Sequence, residues 1–217
     1  MRLGRARWTV VLGVLALAAC GGDGDGAADD EEEQEAVVRP GLGRSTAAPT
    51  GTPVALPTGV SVESPFAGAE EAFCDTEDGT TFGAGLRVSV CMPVTNADAQ
   101  AQELELPCGT LLVSQTPGVQ NGLLLQRVVL PLAPGATRTF PLFAFCANEE
   151  RELSTPAARY VLGPVTDDAD VLELCRLLED KDLRDNDLEA QDLLWHITEG
   201  SGLTSADHEL IGQMGER

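Results

Sequence analysis

Between Pro107 and Cys146 the sequence holds no acid and only two bases, Arg127 and Arg138. The whole chain has 217 residues, with 35 Asp and Glu against 14 Lys and Arg and a formal charge of −21. Burying an unpaired charge is costly, so a long stretch without carboxylates is the natural material for a folded core. The apolar fraction, 43%, is that of a globular chain, while aromatics make up only 4%. The core must therefore rest on Leu and Val.

The region around this stretch reads as β structure. Leu86-Arg87-Val88-Ser89-Val90-Cys91-Met92 alternates with period two, as a half-buried strand does. Glu103 to Leu106 and Thr110 to Val113 offer further short strands, and Leu123 to Leu132 is a longer apolar run. Pro134-Gly135 supplies a turn, because Pro fixes φ and Gly accepts positive φ. Thr137 to Cys146 then returns as another strand. On it Phe140, Leu142, Ala144 and Cys146 share one face and Phe143 and Phe145 the other. Short strands joined by turns, with no helix between them, predict an antiparallel Ig-like β-sandwich over residues 62–164.

From Thr166 the period changes. Val171, Leu174, Cys175 and Leu178 fall on one helical face, with Asp167, Asp168 and Asp170 near the start to complement the helix dipole. A second helix is expected from about Asp187 to Thr198, with Leu188, Gln191, Leu194 and Trp195 on one face. Thr204 and Asp207 form a capping-box-like start for a third, carrying Leu210, Ile211 and Met214. The chain is thus expected to be mainly β with α, residues 165–217 forming a small helical unit packed on the sandwich.

The N-terminus reads as targeting. Arg2, Arg5 and Arg7 precede the apolar run Trp8 to Ala16, which is too short to stay in a bilayer as a span. The tetrad Leu17-Ala18-Ala19-Cys20 resembles the lipobox of bacterial lipoproteins. That resemblance implies a signal peptide over 1–19, lipidation of Cys20 (diacylglycerol with an acyl chain such as palmitate) and a cell-envelope location. Gly21, rather than Asp, after the Cys points to the outer membrane in a diderm host. Loss of three Arg with the leader would take the side-chain charge from −21 to −24. Residues 20–61 read as a tether. Its first part, 21–36, has eight acids and no base, and Pro40 to Pro57 is rich in Pro, Thr, Gly, Ser and Ala. No calcium loop is present: the acid-rich segment Asp180 to Glu189 lacks the turn Gly and has Arg184 at a ligand position.

Beyond Cys20 there are five cysteines, Cys74, Cys91, Cys108, Cys146 and Cys175. Their spacing fits no zinc pattern, and no metal or cofactor is expected. An oxidising compartment allows disulfides, but an odd number leaves one thiol over. Sequence does not fix connectivity; Cys74–Cys91 with Cys108–Cys146 is one pairing expected.

Phe145-Cys146-Ala147-Asn148, then Pro156, Tyr160 and Ala190-Gln191-Asp192-Leu193-Leu194-Trp195-His196, resemble uncharacterised secreted bacterial proteins. In that group a β-sandwich strand ends in Phe-Cys-x-Asn and a short helical segment follows. The same residues loosely resemble the thioester domains of bacterial surface adhesins. That likeness implies a Cys146–Gln191 thioester open to amines, and would leave Cys74, Cys91, Cys108 and Cys175 as an even set. Two departures are visible: the Cys-to-Gln separation of 45 residues is short, and Ala190 replaces the usual Thr.

The acidity argues against nucleic acid and against anionic lipid surfaces as partners, since both need clustered bases. Only His196 and His208 are available for acid–base work, and no nucleophile-elbow motif surrounds the serines, so a hydrolase is the least supported class. The expectation is a non-enzymatic lipoprotein. It would touch the membrane through its N-terminal lipid and an unknown protein or envelope ligand through its folded domain.

Overall fold

The computed structural model describes residues 37–69, 74, 79–85, 87–200 and 202–217. The expected signal peptide, Cys20, the acidic run 21–36 and Leu86 lie outside the described residues. The early strands are β1 (Gly51–Pro53), β2 (Val60–Val62), β3 (Phe66–Ala69), β4 (Phe82–Gly83) and β5 (Val88–Asn96). Then come β6 (Gln102–Leu106), β7 (Thr110–Ser114), β8 (Gly122–Leu123), β9 (Val128–Leu132), β10 (Thr137–Cys146) and β11 (Arg159–Thr166). Three helices follow: α1 (Ala169–Leu178), α2 (Asp187–Thr198) and α3 (Ser205–Gln213).

The strands do not form the two facing sheets of an Ig-like sandwich. The order β5-β3-β11-β7-β8-β10 closes when β10 pairs back onto β5, giving a six-stranded barrel in which every neighbouring pair is antiparallel. The closing pair is long. Its register sets Val88 opposite Ala144, Val90 opposite Leu142 and Met92 opposite Phe140, so these inward residues meet one another across the seam. Periodicity predicts which residues face inward but not whether the last strand meets the first, which is why a sandwich and a barrel look alike in sequence.

The acid-free stretch now has a physical explanation. The wall made by β7, β8 and β10 is covered on both sides. Leu112, Phe140, Leu142 and Ala144 fill the barrel, while Leu111, Leu123 and Phe145 face outward into a second apolar cluster. A strand buried on both faces cannot carry carboxylates on either. The antiparallel ribbon β6–β9 joins the barrel cluster through Leu104, Leu106, Val128, Leu130 and Leu132.

The outer cluster is completed by helices. Asp168 caps α1 by accepting the N–H groups of Asp170 and Val171, and Val171, Leu174, Cys175 and Leu178 are buried as their spacing predicts. Thr204 and Asp207 form a full capping box on α3. On α2 the expected face shifts. Leu188 is 58% exposed, and the buried face is Ala190, Gln191, Leu193, Leu194 and Ile197.

Two disulfides brace these layers. Cys74–Cys91 is as expected, but Cys108 pairs with Cys175 rather than Cys146. Their Cα atoms are 5.9 Å apart, because the turn before β7 sits under α1, a proximity that 67 residues of separation conceal. The bond ties the helical cover to the barrel.

The described part of the expected tether, residues 37–61, is packed rather than free. Leu42 is buried in the outer cluster, and β1 pairs with β11. Asn121 and Asn148 donate to the carbonyls of Gly41 and Gly43. Gly43 has φ of +53°, and a Cβ there would lie 2.2 Å from the Thr198 carbonyl oxygen, so only glycine fits this approach. Arg39, 5% exposed, is ion-paired to Asp168 and Asp170. Composition suggested a spacer because Pro, Gly and Thr carry little apolar surface, but here the backbone's hydrogen-bonding groups do the docking. Arg39→Ala should lower stability by about 2 kcal/mol in urea denaturation, less than for a fully enclosed pair because Asp170 is half exposed.

Candidate functional site

Two places stand out. The first is the corner where β10 ends. Its strand carries Cys146 into a site only 2% exposed, and among the described residues Cys146 is the free cysteine. α2 lies against this end of the strand and delivers Gln191. The Gln191 Oε1 accepts from the Cys146 N–H at 2.8 Å, and its Nε2 donates to the Cys146 carbonyl at 3.0 Å. The carboxamide thus pairs with the main chain as a neighbouring strand residue would. The two residues that the thioester resemblance singles out are therefore brought into contact.

The thiol itself makes other contacts. Cys146 Sγ donates to the Asn148 carbonyl at 3.3 Å. The Trp195 indole N–H is buried and has no hydrogen-bond partner among the described residues. The Arg87 guanidinium lies 5.3 Å from the Trp195 ring centroid. Burial pushes the Cys146 thiol up, against smaller opposing effects of the Asn148 contact, Trp195 and Arg87. It therefore stays protonated at neutral pH and is a poor nucleophile. Asn148, the last residue of Phe-Cys-x-Asn, is fully buried; it accepts from the Asn121 N–H and donates to Gly43. Its role is to pin the strap, the docked segment from Arg39 to Pro53, at Gly43.

His196 and His208 do not join this corner. His196 Nδ1 lies 3.0 Å from Asp207 Oδ1, and Thr204 donates to the other carboxylate oxygen of Asp207. This is a helix cap extended by a histidine: among the described residues the imidazole meets no hydroxyl or thiol that it could activate. His208 is exposed on α3. Among the described residues no group of three potential ligands could hold a metal ion.

The second place is a cleft of about 380 Å³ at the seam between barrel and helical cover. One wall is Thr81 to Ala84 of the β4 segment, a second is the chain from Leu124 to Val129, and the third is the loop from Lys181 to Arg184. A smaller cavity of about 260 Å³ shares Thr81, Gly83, Ala84 and Arg184 and reaches Phe143 and Asp187. Gln126 organises the floor: its Nε2 donates to the carbonyls of Leu178 and Lys181, holding the end of α1 and the loop after it. A larger open depression of about 740 Å³ lies along the β6–β9 ribbon, lined by Ala, Pro and Leu with Gln102, Glu103 and Arg138, and its Arg138 stacks on Phe140. The seam cleft has more polar chemistry, and sequence reasoning missed it. Its residues come from three separate segments, and no local period or motif marks them.

Fold and sites define a class: a small mainly β module, braced by two disulfides and covered on one side by helices. Compared with models of protein families, with curated proteins and with solved structures, the chain matches none of them.

The hydrogen bonds give Gln191 a structural role. Gln191→Ala leaves a buried N–H and carbonyl of Cys146 without partners and should cost about 2 kcal/mol in urea denaturation.

Proposed function

We propose that the chain is a lipid-anchored binding module of the bacterial cell envelope, facing away from the cytoplasm and, in a diderm host, held at the outer membrane. Leu17 to Cys20 supports the anchor, and acyl chains on Cys20 add roughly 0.8 kcal/mol of membrane affinity per buried methylene. Two disulfides suit an oxidising compartment. The observation that carries the binding role is the seam cleft, whose volume lies in the range of small-ligand sites. Its walls are held by hydrogen bonds and by the barrel itself, so a ligand would meet a preformed surface and lose little affinity to ordering the protein. A photo-crosslinking residue in place of Thr81, in the full chain expressed in its bacterial host, should give a discrete adduct. Cys20→Ala should abolish membrane retention of the chain. Absence of any adduct at Thr81 would sink the binding role, and membrane retention without Cys20 would sink the anchor.

A second reading is covalent attachment through a Cys146–Gln191 thioester, favoured by the contact between the two residues. In it the thiolate would displace the Gln191 amide nitrogen as ammonia, and an amine would later open the bond. Against it stand the protonated thiol and a carboxamide whose two polar atoms are already engaged by the Cys146 main chain. Intact mass separates the readings. A thioester makes the chain lighter by one ammonia and lets methylamine add. The binding module has neither property, and its Cys146 alkylates once denatured.

A further inference from the structure

We propose that the seam cleft binds a small anion carrying two or more carboxylate or phosphate groups. The inference rests on the reading of the chain as a binding module and names the ligand class for that cleft. Four bases, Arg127, Lys181, Arg184 and Arg217, line it against one lining acid, Asp182. In a chain of charge −21 with one lysine, this local reversal of sign is the feature to explain.

The bases are held by neutral groups. Arg184 Nη2 donates to the carbonyls of Thr81 at 3.0 Å and Gly83 at 3.4 Å. Lys181 Nζ donates to the Met214 carbonyl, and Arg217 Nη1 to Gln126 Oε1, each at 3.3 Å. No carboxylate among the described residues lies within ion-pair distance of these three side chains; Arg127 alone pairs, with the exposed Glu105 at 3.3 Å. Asp182 offsets one of these charges, its Oδ1 accepting from the N–H groups of Arg184 and Asp185 in the turn of its own loop, and the lining side chains stay net positive. Carbonyl partners orient a cation without cancelling its charge. Three cations oriented by neutral partners, in a lining that stays net positive, are what a multiply charged anion requires, since charge-assisted bonds are about twice as strong as neutral ones.

The rest of the molecule sets the size limit. Residues 166–217 alone carry fifteen acids, so a long polyanion would lay most of its charges against a repelling surface. A small anion inside the cleft sits within a Debye length of the bases, roughly 8 Å at physiological salt, and screening weakens the repulsion from acids farther away. The site therefore selects compact anions and rejects nucleic acid or acidic polymers.

Calorimetry on the full chain with citrate, pyrophosphate and a long polyglutamate tests this. Citrate or pyrophosphate should bind and weaken as salt rises, and polyglutamate should not bind. Lys181→Gln and Arg184→Gln should each weaken binding about tenfold, whereas Arg159→Gln, remote from the cleft, should not. Because Arg184 bridges to two carbonyls of the β4 segment and Lys181 to the single Met214 carbonyl, which a Gln amide can also reach, Lys181→Gln, checked by its melting temperature, is the decisive variant. Binding of neither anion, equal binding by Lys181→Gln, or equal binding of polyglutamate overturns the proposal. If a Thr81 crosslink adduct persists while citrate and pyrophosphate fail, the anion assignment falls and the binding module stands.

Discussion

The pairing of β5 with β10 is the constraint on which the structure depends. It turns a curled sheet into a closed barrel, and it sets the register that points Val88, Val90 and Met92 at Ala144, Leu142 and Phe140. A one-residue slip would turn those side chains out of the barrel and send Phe145 into it. The outer cluster would then lose the aromatic residue against which the helices pack. Closure also removes open edges at these two strands, which would otherwise be templates for pairing with another chain.

From that wall the remainder follows. Since β10 is covered on both faces, its end is a buried corner, and the main chain of Cys146 must find partners there. Gln191 supplies them from α2. The strap from Arg39 to Pro53 supplies the next layer, by backbone groups, one buried arginine and the apolar side chain of Leu42. The seam cleft opens where the loop from Lys181 to Arg184, the chain from Leu124 to Val129 and the β4 segment meet without filling the space between them. The buried, free Cys146 and the open cleft both lie along the junction of barrel and helical cover.

Much of the secondary structure was legible. Thr137 to Cys146 is a strand with the expected ends, the Thr204–Asp207 cap starts α3, and Asp187 to Thr198 is α2. The single long run Leu123 to Leu132 instead divides into β8 and β9, which belong to different sheets. Gln126 and Arg127 interrupt it, and their side chains turn to the helical cover and to Glu105. The motif that linked Cys146 to Gln191 found a true contact, but a contact of carboxamide with backbone. Residue types alone do not tell those apart.

The sequence by itself determined the local matters: where strands and helices run, that the acid-free stretch forms the core, and that a lipobox-like segment leads the chain. These depend on period, composition and short motifs, which neighbouring residues carry. Only the tertiary structure decided that the sheet closes, that Cys108 meets Cys175, that the strap is docked, and that bases at 127, 181, 184 and 217 converge in an otherwise acidic molecule. Those facts depend on distances between segments tens of residues apart. Such distances are set by register and packing, and no local pattern encodes them.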